Sequence, residues 1–191
     1  TTRLACIGHR SYITSVSVSQ DGRLMSTADY VGAVFVWDTQ TQKILLQTED
    51  PRGRPLTASL SPDGAKLVVG GVSPRIIDVQ SGRTLLALKG HLDAVYRVRF
   101  VPSGKQVITI ARDRTLRSFD AATGQQLLIL HVPLGDSLDV SPDGRFAIAP
   151  SDGEHESSAK ILPITVEALF RSACELLRDQ PEYSQVGSYC Q

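Results

Sequence analysis

What the chain has little of narrows it first. Its 191 residues hold three cysteines, one methionine and one tryptophan, and aromatic residues make up only 6%. The cysteines, Cys6, Cys174 and Cys190, are odd in number and show no CxxC spacing, which excludes a disulfide framework and a zinc-ligand pattern. Reduced thiols in a cytoplasmic protein are expected, with a Cys174–Cys190 bond as the alternative that spacing leaves open. Charge of one sign is also missing. Lys plus Arg and Asp plus Glu each count 20, so no basic excess is offered to nucleic-acid phosphates. No apolar run approaches the length of a membrane span. No signal-peptide pattern occupies Thr1 to His9, and a chain opening at Thr1 is expected to be a fragment or a processed chain. Phosphate cradles of the GxxxxGK[ST] or GxGxxG type are absent, as is a GxSxG nucleophile elbow. The remaining composition, 41% apolar and 21% charged, is that of an ordinary folded protein.

What is present is a period. Gly22, Gly64, Gly104 and Gly144 are separated by 42, 40 and 40 residues, and each closes a similar phrase. The phrases are Ser19-Gln20-Asp21-Gly22, Ser61-Pro62-Asp63-Gly64, Val101-Pro102-Ser103-Gly104 and Ser141-Pro142-Asp143-Gly144. A period of that size marks one supersecondary unit that must stack on copies of itself to bury its apolar face.

Within each unit the residues read as strands. Ile13 to Val18 alternates apolar and polar residues, the signature of a half-buried strand. An Asp-Gly turn follows, then strands beginning at Leu24, spanning Ala33 to Trp37, and beginning at Lys43. The same order recurs in units near 10–48, 54–89, 92–130 and 134–164, and the last loses its fourth strand. Thr2 to Ile7 reads as the fourth strand of a preceding unit. Repeated four-stranded antiparallel meanders close most naturally into radial blades. The expected fold is therefore all-β: a β-propeller of about four four-stranded antiparallel blades across 1–164, as a partial or small ring. The period then changes. Val166, Leu169, Phe170, Ala173, Cys174 and Leu177 fall on one helical face, predicting a C-terminal α-helix over 165–179 with Thr165 as N-cap and a flexible tail over 180–191.

The dipeptides Gly8-His9, Trp37-Asp38, Gly90-His91 and Phe119-Asp120 give the units a second register, since His9 to Trp37 and His91 to Phe119 both span 28 residues. With the turns in phase, residues 3 to 164 resemble the WD-repeat β-propeller family. The resemblance implies a buried network in which the histidine bonds an aspartate, with a serine or threonine and the tryptophan completing it. Carried over by position, the network residues are His9, Asp29, Trp37, His91, Asp113, Phe119 and His131. Asp29 stands in for the usual acid position, which holds Val31. In the third unit Ala111 falls where the hydroxyl is expected, and Phe119 lacks the indole N–H. The second unit has Pro51 at the histidine position. In the fourth, Gly153 falls where the acid is expected.

The resemblance also implies a central binding surface built just before each first strand and in the second-to-third turn. Register places Tyr12, Thr14, Arg54, Asp93, Tyr96 and Arg112 near that rim; the competing expectation is that the tyrosines only cap strands and Arg112 is solvated. Tyr and Arg are residue types that dominate interface energies. The third unit is the most basic, with Arg97, Arg99, Arg112, Arg114 and Arg117; a single patch would suit an acidic peptide, but alternating strand positions are expected to divide these residues between faces. His155, in Asp152-Gly153-Glu154-His155-Glu156, is expected at a solvated hairpin tip rather than at a metal.

The resulting expectation is a non-catalytic, cytoplasmic protein-interaction or sensing module without cofactor, metal, nucleic acid or membrane. Its partner would be a protein or peptide. Three architectures stay open: a C-terminal piece of a longer propeller, completion by a second chain or another part of the same protein, and a self-closed small ring. The terminal helix resembles the tail of bacterial WD-repeat proteins, in which the propeller often follows a STAND-type ATPase or a caspase-like protease. That resemblance implies an alternative: the C-terminal regulatory propeller of a larger effector enzyme whose catalytic domain is not in this chain.

Overall fold

The computed structural model describes residues 8–49, 57–132, 138–152 and 157–178. Four antiparallel sheets follow one another along the chain. The first holds β1 (Ile13–Val18), β2 (Leu24–Asp29), β3 (Ala33–Asp38) and β4 (Ile44–Glu49). The second holds β5 (Ala58–Leu60), β6 (Lys66–Val69), β7 (Arg75–Asp78) and β8 (Thr84–Ala87). The third holds β9 (Val95–Phe100), β10 (Gln106–Ala111), β11 (Thr115–Asp120) and β12 (Gln126–His131). The fourth has three strands, β13 (Asp139–Val140), β14 (Phe146–Asp152) and β15 (Ser157–Pro163), before α1 (Val166–Leu177). Every strand pairs with its chain neighbour, so each sheet is a meander. The first strands of the first three sheets touch in succession, β1 with β5 and β5 with β9. These are the blades of a β-propeller, with β1, β5, β9 and β13 innermost.

The turns that set the period share one construction. The hydroxyls of Ser19, Ser61 and Ser141 donate to Asp21, Asp63 and Asp143 at 2.6, 2.5 and 2.5 Å. Each carboxylate then accepts the backbone N–H two residues on, at 3.0 Å. Gly22, Gly64, Gly104 and Gly144 follow with φ of 71°, 71°, 70° and 71°, a conformation that costs side-chain-bearing residues about 1–2 kcal/mol. The turns from third to fourth strand repeat as well. Asp38, Asp78 and Asp120 each cap their turn by accepting a backbone N–H three residues on, at 2.7, 2.8 and 2.7 Å. The aspartate that follows Trp37 and Phe119 is therefore a turn-former.

Three apolar cores lie between successive blades. Ala28, Val34 and Val36 of the first blade pack on Ala58, Leu60, Leu67, Val69 and Ile77 of the second. Val68 and Ile76 on the second blade's other face pack on Val98, Phe100, Val107 and Phe119 of the third. Ile108, Ile110 and Leu116 then meet Leu138, Ala147 and Ile164 at the fourth. Side chains also stitch blade to blade at the centre. Ser15 Oγ donates to Ala58 O at 3.1 Å, Leu60 N donates to Ser17 Oγ at 3.1 Å, and Phe100 N donates to Ser59 Oγ at 3.3 Å.

Thr165 caps α1, its hydroxyl accepting from Ala168 N at 3.1 Å. The helix keeps part of the expected stripe. Cys174 is buried and Leu169 half-buried, whereas Phe170 and Ala173 are exposed and Ala168, outside the stripe, is buried. Cys174 is disulfide-bonded, which corrects the expectation of reduced thiols; both other cysteines lie outside the described residues. The expected strand over Thr2 to Ile7 and the expected tail over 180–191 also lie outside them.

Candidate functional site

Two buried polar networks hold the ends of the blades that carry the expected binding rim. In the first blade, His9 Nδ1 lies 2.9 Å from Asp29 Oδ2 and His9 Nε2 lies 2.7 Å from Thr27 Oγ1. Trp37 Nε1 donates to the same hydroxyl oxygen at 2.8 Å. Because a carboxylate only accepts, Nδ1 donates to it and Nε2 accepts from the threonine. The proton order is thus fixed from Trp37 through Thr27 and His9 to Asp29. Asp29 Oδ1 accepts three further N–H groups, from Val31, Gly32 and Ala33, at 3.1, 2.9 and 2.9 Å, which shapes the following turn. Burial pushes the Asp29 carboxyl up, but these bonds and the one from His9 outweigh it and hold it below its ordinary value.

The third blade builds the same arrangement from different pieces. His91 Nδ1 lies 3.0 Å from Asp113 Oδ2, and His91 Nε2 lies 2.7 Å from Thr109 Oγ1. The hydroxyl expected at the Ala111 position comes from Thr109 instead, eighteen residues after the histidine, as Thr27 follows His9. Phe119 fills the tryptophan position fully buried, 6.3 Å from the imidazole, and brings no N–H. Asp113 also accepts from the Thr115 hydroxyl at 2.7 Å and from Leu92 N at 2.9 Å. Burial raises its carboxyl, yet Thr115, Leu92 N–H and His91 together hold it at about 2. Burial dominates at His91 and lowers its pKa, with Asp113 opposing.

Among the described residues His131 joins no such network. It ends β12 opposite Thr115 and is exposed, and Gly153, which occupies the position where the acid is expected, lies outside the described residues.

The expected rim residues separate into those that face solvent and those that do not. Tyr12 is 63% exposed and stacks on Tyr30, ring centroids 4.7 Å apart at 28°. Tyr30 was not expected. It sits in the second-to-third turn, where its N–H donates to Tyr12 O at 3.1 Å, as Arg112 N donates to Ala94 O at 3.0 Å. Asp93 and Arg112 are exposed, and between His91 and Asp93 stands Leu92, 89% exposed. Thr14 donates to Ala28 O at 3.2 Å. Tyr96 packs against the core between the third and fourth blades. Arg54 and His155 lie outside the described residues.

The basic character of the third unit is divided. Arg117 is buried, donating to Gln126 Oε1 at 2.6 Å and to Thr115 Oγ1 at 3.2 Å, with Asp113 at 3.9 Å. Arg97 donates to Tyr96 O at 2.8 Å. Arg99 instead lines an axial cavity of about 430 Å³ whose walls include Ser17, Ser59, Phe100 and Asp139. In register, Ser17, Ser59, Arg99 and Asp139 are one position repeated on the four inner strands. The cavity therefore presents one cation, one anion and two hydroxyls, of which Ser17 and Ser59 already serve the neighbouring blade.

Residues 2–38 and 82–120 match the family model for the WD domain, G-beta repeat. An uncharacterized WD repeat-containing protein of Synechocystis sp. is 26% identical over 151 residues, covering 77% of this chain and 43% of that protein. The chain thus spans less than half the length of this curated relative. Among solved structures, the computationally designed protein Ika4 is similar at a TM-score of 0.65 and 23% identity, covering 86% of this chain and 99% of that one. The β-propeller domain of Cps50 (Swd1) from Myceliophteria thermophila is similar at a TM-score of 0.69 and 19% identity, covering 79% of this chain and 52% of that one. These two likenesses bear on the fold.

Proposed function

We propose that this chain, a WD-repeat β-propeller protein, is a non-catalytic interaction module that holds a protein or peptide partner on the rim formed by Tyr12, Tyr30, Leu92, Asp93 and Arg112. WD-repeat propellers are generally protein-interaction modules, which supports the class of function. One observation carries the choice of surface: an exposed tyrosine, Tyr12, stacked on a second one at the rim. A paired aromatic surface offers large contact area at small conformational cost. Leu92 adds an exposed apolar side chain on the same end of the propeller, beside the charges of Asp93 and Arg112. The His9 and His91 networks serve this surface indirectly by fixing the loops that carry it.

A cytoplasmic setting belongs to the same proposal, with one tension: a disulfide at Cys174 is more at home in an oxidising compartment.

The test is affinity capture with the chain as bait, followed by titration of the captured partner. Tyr12→Ala and Arg112→Ala are each expected to weaken binding by about 1–2 kcal/mol while the fold is retained. A partner bound equally well by both variants would remove the rim from consideration.

A further inference from the structure

The junction between the first two blades differs from the next one at a single repeated position. Leu24, Lys66 and Gln106 are equivalent, each opening the second strand of its blade two residues after the turn glycine. Asp78 and Asp120 each close a third strand, and Val79 and Ala121 follow them. At the second junction Lys66 crosses from blade to blade, its Nζ donating to Ala121 O at 3.1 Å. Asp120 lies below its ordinary pKa through its bonds to Thr123 and Ala122, and the Lys66 charge adds to them. At the third junction Gln106 stays on its own sheet and accepts from Ser118 Oγ at 3.2 Å. At the first, Leu24 has no donor to send across. A groove of about 400 Å³ remains there, lined by Leu24, Leu45, Asp63, Ala65, Asp78 and Val79 among others. Among the described residues its walls carry two carboxylates and no cation. Asp63 is lowered by its bond to Ser61 and, in part, by Lys66, whereas Asp78 is lowered by Ser81 alone. Asp78 is therefore the carboxylate that lacks the ammonium its counterpart has.

We propose that this groove takes the side chain of a lysine from a partner protein, which supplies at the first junction what Lys66 supplies at the second. The ammonium meets the Val79 carbonyl and the Asp78 carboxylate, and the aliphatic stem lies along Leu24 and Leu45. Asp78 holds its own turn through Oδ1, which accepts from Ser81 N at 2.8 Å and Ser81 Oγ at 2.6 Å and leaves Oδ2 for an incoming donor. Leu45, 50% exposed on the wall, suits a stem flanked by peptide groups better than the second charge of a free polyamine. Both walls belong to the first two blades, apart from either end of the chain. The proposal does not rest on the rim surface, which lies at the opposite ends of these strands.

The experiment is an NMR titration of the full chain, read at backbone amides, with Nα-acetyl-lysine N-methylamide, its Nε-acetylated and norleucine counterparts, and 1,5-diaminopentane. The capped lysine is expected to shift Ala65, Asp78, Val79 and Gln80 saturably at about millimolar concentration, and the two uncharged counterparts are expected to leave them in place. Asp78→Asn keeps the Oδ1 acceptor of the turn but loses the charge, and is expected to weaken binding about two- to fivefold. Leu24→Lys fills the groove from within, as Lys66 does one junction on, and is expected to abolish the saturable shift. The same spectra report whether each variant is folded, and the comparison of probes on the wild-type chain decides the matter for a variant that is not. An absence of saturation throughout the millimolar range overturns the proposal. So does an equal response to the uncharged counterparts, undiminished binding by folded Leu24→Lys, or tighter binding of 1,5-diaminopentane than of the capped lysine.

Discussion

Thr109 stands to His91 as Thr27 stands to His9: in each pair the hydroxyl oxygen lies 2.7 Å from the imidazole Nε2. The two threonines nevertheless carry different loads. Thr27 also accepts the Trp37 indole N–H at 2.8 Å, while Thr109 reaches a second acceptor, Arg117 O, at 3.3 Å. Removing the first hydroxyl orphans two buried groups and removing the second orphans one. Thr27→Val is therefore expected to cost about 2–4 kcal/mol and Thr109→Val about 1–2 kcal/mol. Urea unfolding of both variants checks the order. A smaller loss at Thr27 than at Thr109 would contradict the proton order given for the first blade.

Acid is expected to loosen the third blade in two steps. Burial lowers the His91 pKa, so the unfolded chain takes up that proton more readily than the folded one. This contribution is complete above about pH 6.5 and is lost as pH falls below it. Asp113 is held down from 3.8 to about 2, so its contribution is complete above the unfolded value and disappears between about pH 4 and pH 2. The second step is worth about 2 kcal/mol at neutral pH. Asp113→Asn is expected to flatten the lower step in a plot of unfolding free energy against pH, and an unchanged profile would count against the assignment.

Gln42 has φ of 59° at a position where the next two blades have Gly82 and Gly124 at 69° and 73°. Each of the three closes the same turn, its N–H donating to the carbonyl of Asp38, Asp78 or Asp120. A side chain is disfavoured in that conformation. Gln42→Gly is expected to raise stability by about 0.5–1 kcal/mol, with the glycine's extra freedom in the unfolded chain offsetting part of the relief. A thermal midpoint that fails to rise would show that Gln42 gains something from its surroundings.

Gly70 sits at the seam between the second and third blades. A methyl group there would stand 2.6 Å from Thr57 Cγ2 and 2.8 Å from the backbone oxygen of Val95. The backbone cannot swing aside, because Val95 is bridged to Gly71 in both directions at 2.7 and 2.9 Å. Gly70→Ala is expected to cost about 1–3 kcal/mol through overpacking. At Gly22 a methyl group would meet nothing within 4 Å, so Gly22→Ala should cost only its positive φ, about 1 kcal/mol. Equal losses at the two sites would exclude crowding as the cause.

The fold was legible because its signals are local. Period-two strands such as Ile13 to Val18, and glycines fixed near φ of 70° by an Asp-Gly turn, write the blade into short stretches of chain. Side-chain networks were harder to read because a partner can reach a histidine from more than one strand position. Asp29 closes its ring contact from 20 residues away and Asp113 from 22, so counting to a single acid position passes over one of them. Thr109 was hidden for a related reason: the 18-residue step that it shares with Thr27 becomes visible only once the hydroxyl, rather than the acid, sets the register. Tyr96 shows the limit of reading exposure from sequence. Its place near the rim follows from position, but its ring packs against the core at the seam with the fourth blade.

The turns at Gly22, Gly64, Gly104 and Gly144 share one geometry, and every junction sets an inner strand against the sheet before it. Such units share one kind of contact. Duplicating or deleting one stretch of 40 to 42 residues would change the number of blades without requiring a new kind of contact. For a gene encoding this chain, what selection must preserve is the match between the leading surface of one unit and the trailing surface of the next.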